Sequence, residues 1–148
     1  MIYRSFIMLL FVFISVFSCQ NSSPANQKKL FPKNIKVFDL DIFASATTSD
    51  AKIIHAAKIM AQYLDNNEDG VVDNQLVLRK MLERRAFMVM WKNESDLDIN
   101  VPGDREGQDL GNDETNPNFV SNGKKGSFDA TLEEVLHLIN SAGHSNAY

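Results

Sequence analysis

Asp65-Asn66-Asn67-Glu68-Asp69-Gly70-Val71-Val72-Asp73-Asn74-Gln75-Leu76 is the stretch on which the reading of this chain turns. Its opening matches an EF-hand calcium loop: D-x-[DN]-x-[DN]-G, then an apolar residue and a further oxygen donor. Calcium is a hard ion that takes six to eight oxygens. Asp65, Asn67 and Asp69 alternate, so three side-chain oxygens converge on one centre. Gly70 permits the sharp turn, the Val71 carbonyl is the next donor, and Asp73 reaches the ion through a water. Val72 is expected to enter the core beneath the loop. The motif ends in a bidentate Glu at position twelve, where this chain has Leu76. Losing two oxygens and one negative charge places the expected affinity at the weak end, on the order of 10⁻⁴ to 10⁻³ M. The competing reading is a solvated turn between two helices, with Asp73 or Asn74 as N-cap.

Upstream, Thr47-Thr48-Ser49-Asp50 is an N-cap cluster, and Ile53, Ala57, Met60 and Leu64 follow at helical spacing. This predicts a helix over 50–64. Downstream, Val77, Leu78, Met81 and Leu82 form the inner face of a helix predicted over 74–85. Helix, loop, helix is the frame an EF-hand needs. On either side lie a predicted strand over 35–43 and the continuous apolar run Ala86-Phe87-Met88-Val89-Met90-Trp91, read as a buried strand. The expected fold class is therefore α+β, a small mixed domain with the helix–calcium loop–helix unit between strands. No second loop of the pattern occurs, which counts against a paired all-helical lobe and against a dockerin module.

The N-terminus reads as a targeting segment. Arg4 is followed by an apolar run from Phe6 to Phe17, too short for a comfortable transmembrane span. The run leads into Val16-Phe17-Ser18-Cys19, which resembles a bacterial lipoprotein signal. The expectation is a signal peptide over 1–18, lipid attachment at Cys19, a flexible tether over 19–34 and a domain over 35–148. Cys19 is the only cysteine, so no intrachain disulfide forms. Arg4 is the sole charged residue of the leader. The remaining chain sets 14 bases against 19 acids, a net charge of −5. An acidic chain without a basic patch argues against nucleic acid and suits cations. The expected location is the bacterial cell envelope, with the domain facing the periplasm or exterior.

Residues 92–126 read as a long loop. Eight acids between Glu94 and Glu114 face only Arg105. Asp104, Glu106, Asp109, Asp113 and Glu114 are candidates for a second cation, although no spacing specifies a metal and a solvated loop is the simpler reading. An acidic loop also suits a basic protein partner.

The last element is an amphipathic helix over 130–142, with Leu132, Val135, Leu136 and Ile139 toward the core. On its other side Glu133, Glu134 and His137 lie within one turn. A carboxylate and an imidazole so placed can share a proton or bind a metal such as Zn²⁺. Glu134-x-x-His137 is also the spacing of carboxylate di-metal bundles. Neither H-E-x-x-H nor H-x-x-E-H is present, and no second Glu-x-x-His occurs. The alternative is a capping box, Thr131-x-x-Glu134, with His137 on the polar face. His55 is expected to be exposed beside Lys58 and Gln62. Gly143 is read as the helix terminator, with His144 in a loop beyond it.

Ile54-His55-Ala56-Ala57, Tyr63-Leu64-Asp65-Asn66-Asn67-Glu68-Asp69-Gly70, Phe87-Met88-Val89-Met90-Trp91, Gly107-Gln108-Asp109-Leu110 and Glu133-Glu134-Val135-Leu136-His137 together resemble a family of secreted or lipid-anchored proteins of unassigned activity. Its recognisable feature is a single EF-hand-like loop, and the resemblance covers about residues 35–148. It implies that the E-E-x-x-H helix belongs to a metallopeptidase-like site. It also implies a chain continuing beyond Tyr148, and so a domain truncated at its C-terminus. The alternative function is a metal-dependent hydrolase, with Glu133 or Glu134 as base and His137 as ligand.

Overall fold

A computed structural model describes residues 31–92, 105–119 and 128–148. Strands β1 (Lys33–Val37), β2 (Leu40–Ala44), β3 (Phe87–Trp91) and β4 (Gly107–Gly111) form one mixed sheet in the order β1-β2-β3-β4. β1 and β2 are antiparallel, whereas β2, β3 and β4 run parallel. A parallel step needs a crossover. Between β2 and β3 it is supplied by helix α1 (Asp50–Leu64), the 65–74 loop and helix α2 (Gln75–Glu83). Helix α3 (Thr131–Leu138) runs into a π-helical segment, Ile139–His144, and a final turn, Ser145–Ala147. The fold is α+β, with the helix–loop–helix unit between strands as expected.

The predicted single strand over 35–43 is instead a hairpin. Val37 pairs with Leu40, and the connecting Phe38 and Asp39 have φ of 47° and 69°. Two left-handed residues make the turn whose twist suits a two-residue hairpin. Asn-Gly usually signals that turn, and Phe-Asp conceals it. β1 also starts at Lys33, before the expected domain boundary. Phe31 packs against Trp91 at 6.4 Å between ring centroids, so residues 31–34 belong to the domain rather than to a tether. The leader, Cys19 and the rest of the tether lie outside the described residues, as does Asp104. Among the described residues no helix is long and apolar enough to cross a membrane.

β3 explains its own unbroken apolar sequence. Met88 and Met90 face the helices, together with Leu40, Ile42 and Ala44 of β2 and Leu110 of β4. Phe87, Val89 and Trp91 face the opposite side, where Phe31 and Phe43 pack on them. A strand with both faces covered has no polar side to show. Each fully buried side chain of this kind contributes about 1.5–3 kcal/mol. On the helical side, Ile53, Ala57, Met60 and Leu64 of α1 are buried as predicted, with Ala56 beside them. In α2, Val77 and Met81 are buried but Leu82 is exposed.

Two expectations downstream are corrected. The long loop contains β4: Gly107-Gln108-Asp109-Leu110-Gly111 has weak strand propensity and is recruited by parallel pairing with β3. The inner stripe of α3 is Thr131, Val135 and Leu138, continuing to Ile139 and Ala142, while Leu136 is exposed. Gly143 does not end the helix but lies inside the π-helical segment, with His144 as that segment's last residue.

Candidate metal centre

The loop begins where α1 ends. Asp65 is the C-cap, its N–H still donating to the Ala61 carbonyl at 2.8 Å. Its side chain then accepts from the loop it opens: Oδ1 from Asp69 N at 3.2 Å and Oδ2 from Gly70 N at 2.8 Å. Asn67 Oδ1 accepts from Asp69 N at 3.1 Å, and Asp69 Oδ1 from Val71 N at 2.8 Å. Glu68 at φ 61° and Gly70 at φ 84° turn the chain, and only the glycine adopts that conformation without cost. The loop closes through Asp73 N to the Leu64 carbonyl at 2.9 Å and Asp73 Oδ2 to Asn66 N at 2.9 Å. Val72 is buried in the core cluster, as expected. Asn74 is the N-cap of α2, its Oδ1 accepting from Val77 N at 3.2 Å.

Every predicted donor residue therefore lies in one folded loop. The charge there is one-sided: Asp65, Glu68, Asp69 and Asp73 are acidic and no base lies between 65 and 76. They sit at the negative end of the α1 dipole, and the last turn of α1 carries no basic residue. Asp65 is buried, while Asn67, Asp69, Val71 and Asp73 are exposed. A cleft of about 400 Å³ lined by Lys58, Ala61, Gln62, Asp65, Glu68 and Gly70 gives solvent a path to Asp65. Among the described residues, no three His, Cys, Asp or Glu side chains are gathered as a metal-binding group. In the loop, Asp69 bonds to its own neighbours and Asp73 is drawn to Asn66. The donor set is entirely oxygen: three carboxylates, one amide and one carbonyl. Oxygen donors of this kind suit hard cations such as Ca²⁺, Mg²⁺ or Mn²⁺ better than metals that favour nitrogen or sulfur. Leu76, half-buried on the first turn of α2, supplies no donor.

The Glu/His constellation lies on α3. Glu134 Oε2 is 3.5 Å from His137 Nδ1, and Glu133 Oε1 is 3.9 Å from His137 Nε2. Gln108 of β4 donates to Glu134 Oε2. Glu133 and His137 are more than half exposed, and Glu134 is partly buried. The capping box does not form. Thr131 is fully buried and its hydroxyl donates to Asp129 Oδ1 at 2.6 Å, while Glu134 turns to Gln108. Two of the other acidic candidates take separate structural roles. Glu106 pairs with Arg84 at 2.8 Å, and Glu114 accepts from Gly111 N at 3.1 Å.

The group that sequence reasoning missed is Asp129. Its side chain is 1% exposed. Oδ1 accepts from Thr131 Oγ1, from Thr131 N at 3.3 Å and from Asn116 N at 3.1 Å. Oδ2 lies 2.7 Å from His55 Nε2. His55 is thus not an exposed histidine: its side chain is 13% exposed and tied to a carboxylate 74 residues away. A charged Asp accepts only, so Nε2 is the donor and carries the proton. Burial alone pushes the Asp129 carboxyl upward, but the bonds from Thr131, His55 and Asn116 outweigh it and hold the acid below its ordinary value. The only hint in the sequence was an Asp two residues before a Thr at a helix start.

The chain matches no family model, no curated protein and no solved structure.

Proposed function

We propose that this protein is a lipid-anchored calcium-binding domain of the bacterial cell envelope, in which calcium acts mainly as a structural staple. The observation that carries this reading is the loop itself. Asp65, Asn67 and Asp69 accept bonds from the amides of residues 69–71, which close a loop carrying three oxygen-bearing side chains at the spacing of a calcium motif. The Val71 carbonyl and Asp73 complete the donor set. A divalent cation there offsets four like charges and the α1 dipole, and it joins the end of α1 to the start of α2. The leader and Cys19 supply the membrane anchor. Binding asks Asp73 to exchange the Asn66 amide for the ion or an ion-bound water, which with Leu76 keeps affinity low.

Cations that bind only the folded state stabilise it by mass action. Chelation therefore lowers the melting temperature, and Asp65→Ala abolishes that response. Equal melting of the wild type with and without chelator contradicts the reading.

A second reading has its own observation. The short spacing of Glu134 and His137, with Gln108 fixing the carboxylate, suits a metal-dependent hydrolase using Glu133 or Glu134 as base and His137 as a Zn²⁺ ligand. Stoichiometric zinc lost only in His137→Ala favours that reading over the first.

A further inference from the structure

We propose that the C-terminal segment 139–148 is a brace on α2 whose docking is energetically coupled to cation binding in the 65–76 loop. The proposal rests on the calcium reading above and specifies how that site is regulated. α2 begins at Gln75, so its direction sets where the second half of the loop lies.

Two contacts tie the brace to that helix, and a third feature ties the loop to it. First, Gly143 lies directly on the buried face of α2. A Cβ at this position would stand 2.6 Å from Val77 Cγ1 and 3.1 Å from Met81 Cγ. The π-helical turn, with its extra residue per hydrogen-bonded ring, buries Gly143 together with Ile139 and Ala142. Such turns recur at functional sites. Second, Asn74 uses both ends of its amide. Oδ1 caps α2 at Val77 N, and Nδ2 donates to Tyr148 Oη at 3.1 Å. The Tyr148 ring stacks on His144 at 6.2 Å between centroids. Third, Val72 of the loop shares one core cluster with Val77, Met81, Ile139 and Ala142. Gln75 Nε2 also donates to the Val72 carbonyl at 3.0 Å. Loop and brace therefore both bear on α2, from its first turn and from its buried face.

A cation gathers oxygens from the end of α1 (Asp65) and from the strand of chain entering α2 (Val71, Asp73). That fixes α2 against α1. The Gly143 contact leaves no slack for α2 to shift while the brace stays seated, because packed interiors do not deform continuously. Coupling between two such events is reciprocal: the ion protects the brace, and loosening the brace weakens the ion by the same factor.

The test is calcium titration of the full chain by calorimetry, for the wild type, Gly143→Val and Tyr148→Phe. Amide exchange of residues 139–148 is followed with and without saturating calcium. Gly143→Val is expected to raise Kd about fivefold or more. Tyr148→Phe removes one hydroxyl from an exposed ring, leaves the fold intact and is expected to raise Kd about twofold. Exchange across 139–148 is expected to slow when calcium binds. If Gly143→Val does not fold, Tyr148→Phe and the wild-type exchange decide. Calcium binding with unchanged affinity in the folded variants and unchanged exchange overturns the coupling and leaves the calcium site standing. No calcium binding by the wild type overturns both.

Discussion

Asp65 and Asp129 are both buried carboxylates at the end of a helix, and they are tied down in opposite ways. The hydrogen-bond partners of Asp65 lie four and five residues ahead, inside its own loop. Those of Asp129 include Asn116, in the segment after β4, and His55, on α1. One is a local device that shapes a turn wherever it occurs. The other assembles three segments that are distant in sequence. The local device takes its partners from the main-chain amides of one loop, and it is the one proposed to meet an ion. The distant one takes four hydrogen bonds from three segments and holds them together.

The largest expected effect breaks the second device. Asp129→Ala leaves the Thr131 hydroxyl, the Asn116 amide and the His55 ring without their acceptor in a buried site. A loss of roughly 3 kcal/mol is expected, from hydrogen bonds to a charged group and unsatisfied partners, read as a lowered urea midpoint at unchanged slope. A loss below about 1 kcal/mol would mean that the three segments are held by apolar packing instead. His55→Ala removes one of these bonds and is expected to cost about 1–2 kcal/mol. It also leaves calcium affinity unchanged, since the two devices share no residue.

Leu76→Glu sharpens the other side of the comparison. It places a bidentate donor at position twelve, on a half-buried site. Calcium affinity is expected to rise on the order of 10- to 100-fold, toward the range of complete loops. No gain would mean that the start of α2 does not face the ion.

A smaller effect is expected from the pH dependence of Asp129. The folded value of Asp129 lies below its unfolded one, so its contribution is complete above the ordinary carboxylate range. It is lost as pH falls through that range toward the lower folded value. The advantage of the wild type over Asp129→Asn in urea unfolding is therefore expected to shrink as pH drops below about 4. A constant difference from pH 6 to pH 3 contradicts the assignment.

The same contrast explains what was legible in the sequence. α1, α2, β3 and the loop follow from signals that lie within a few residues: apolar spacing, an Asn cap, a glycine at the turn. The hairpin was hidden because Phe38 and Asp39 adopt left-handed conformations that neither residue advertises. β4 was hidden because its strand character comes from β3 rather than from Gly107-Gln108-Asp109-Leu110-Gly111 itself. Thr131-x-x-Glu134 offered a local capping pattern, but tertiary partners outbid it: Thr131 went to Asp129 and Glu134 to Gln108. His55 sits at a position helical spacing marks as polar, and only the fold could bring Asp129 to it.

The most direct test of the central claim is a calcium titration of thermal stability, comparing the wild type with Asp69→Ala. With calcium tenfold above Kd, the folded state gains about 1.4 kcal/mol, which raises the melting temperature of a domain this size by several degrees. That rise is expected in the wild type, setting in as calcium passes Kd and growing logarithmically above it, and none is expected in Asp69→Ala. A wild type whose melting is indifferent to calcium, or a variant that responds equally, would contradict it.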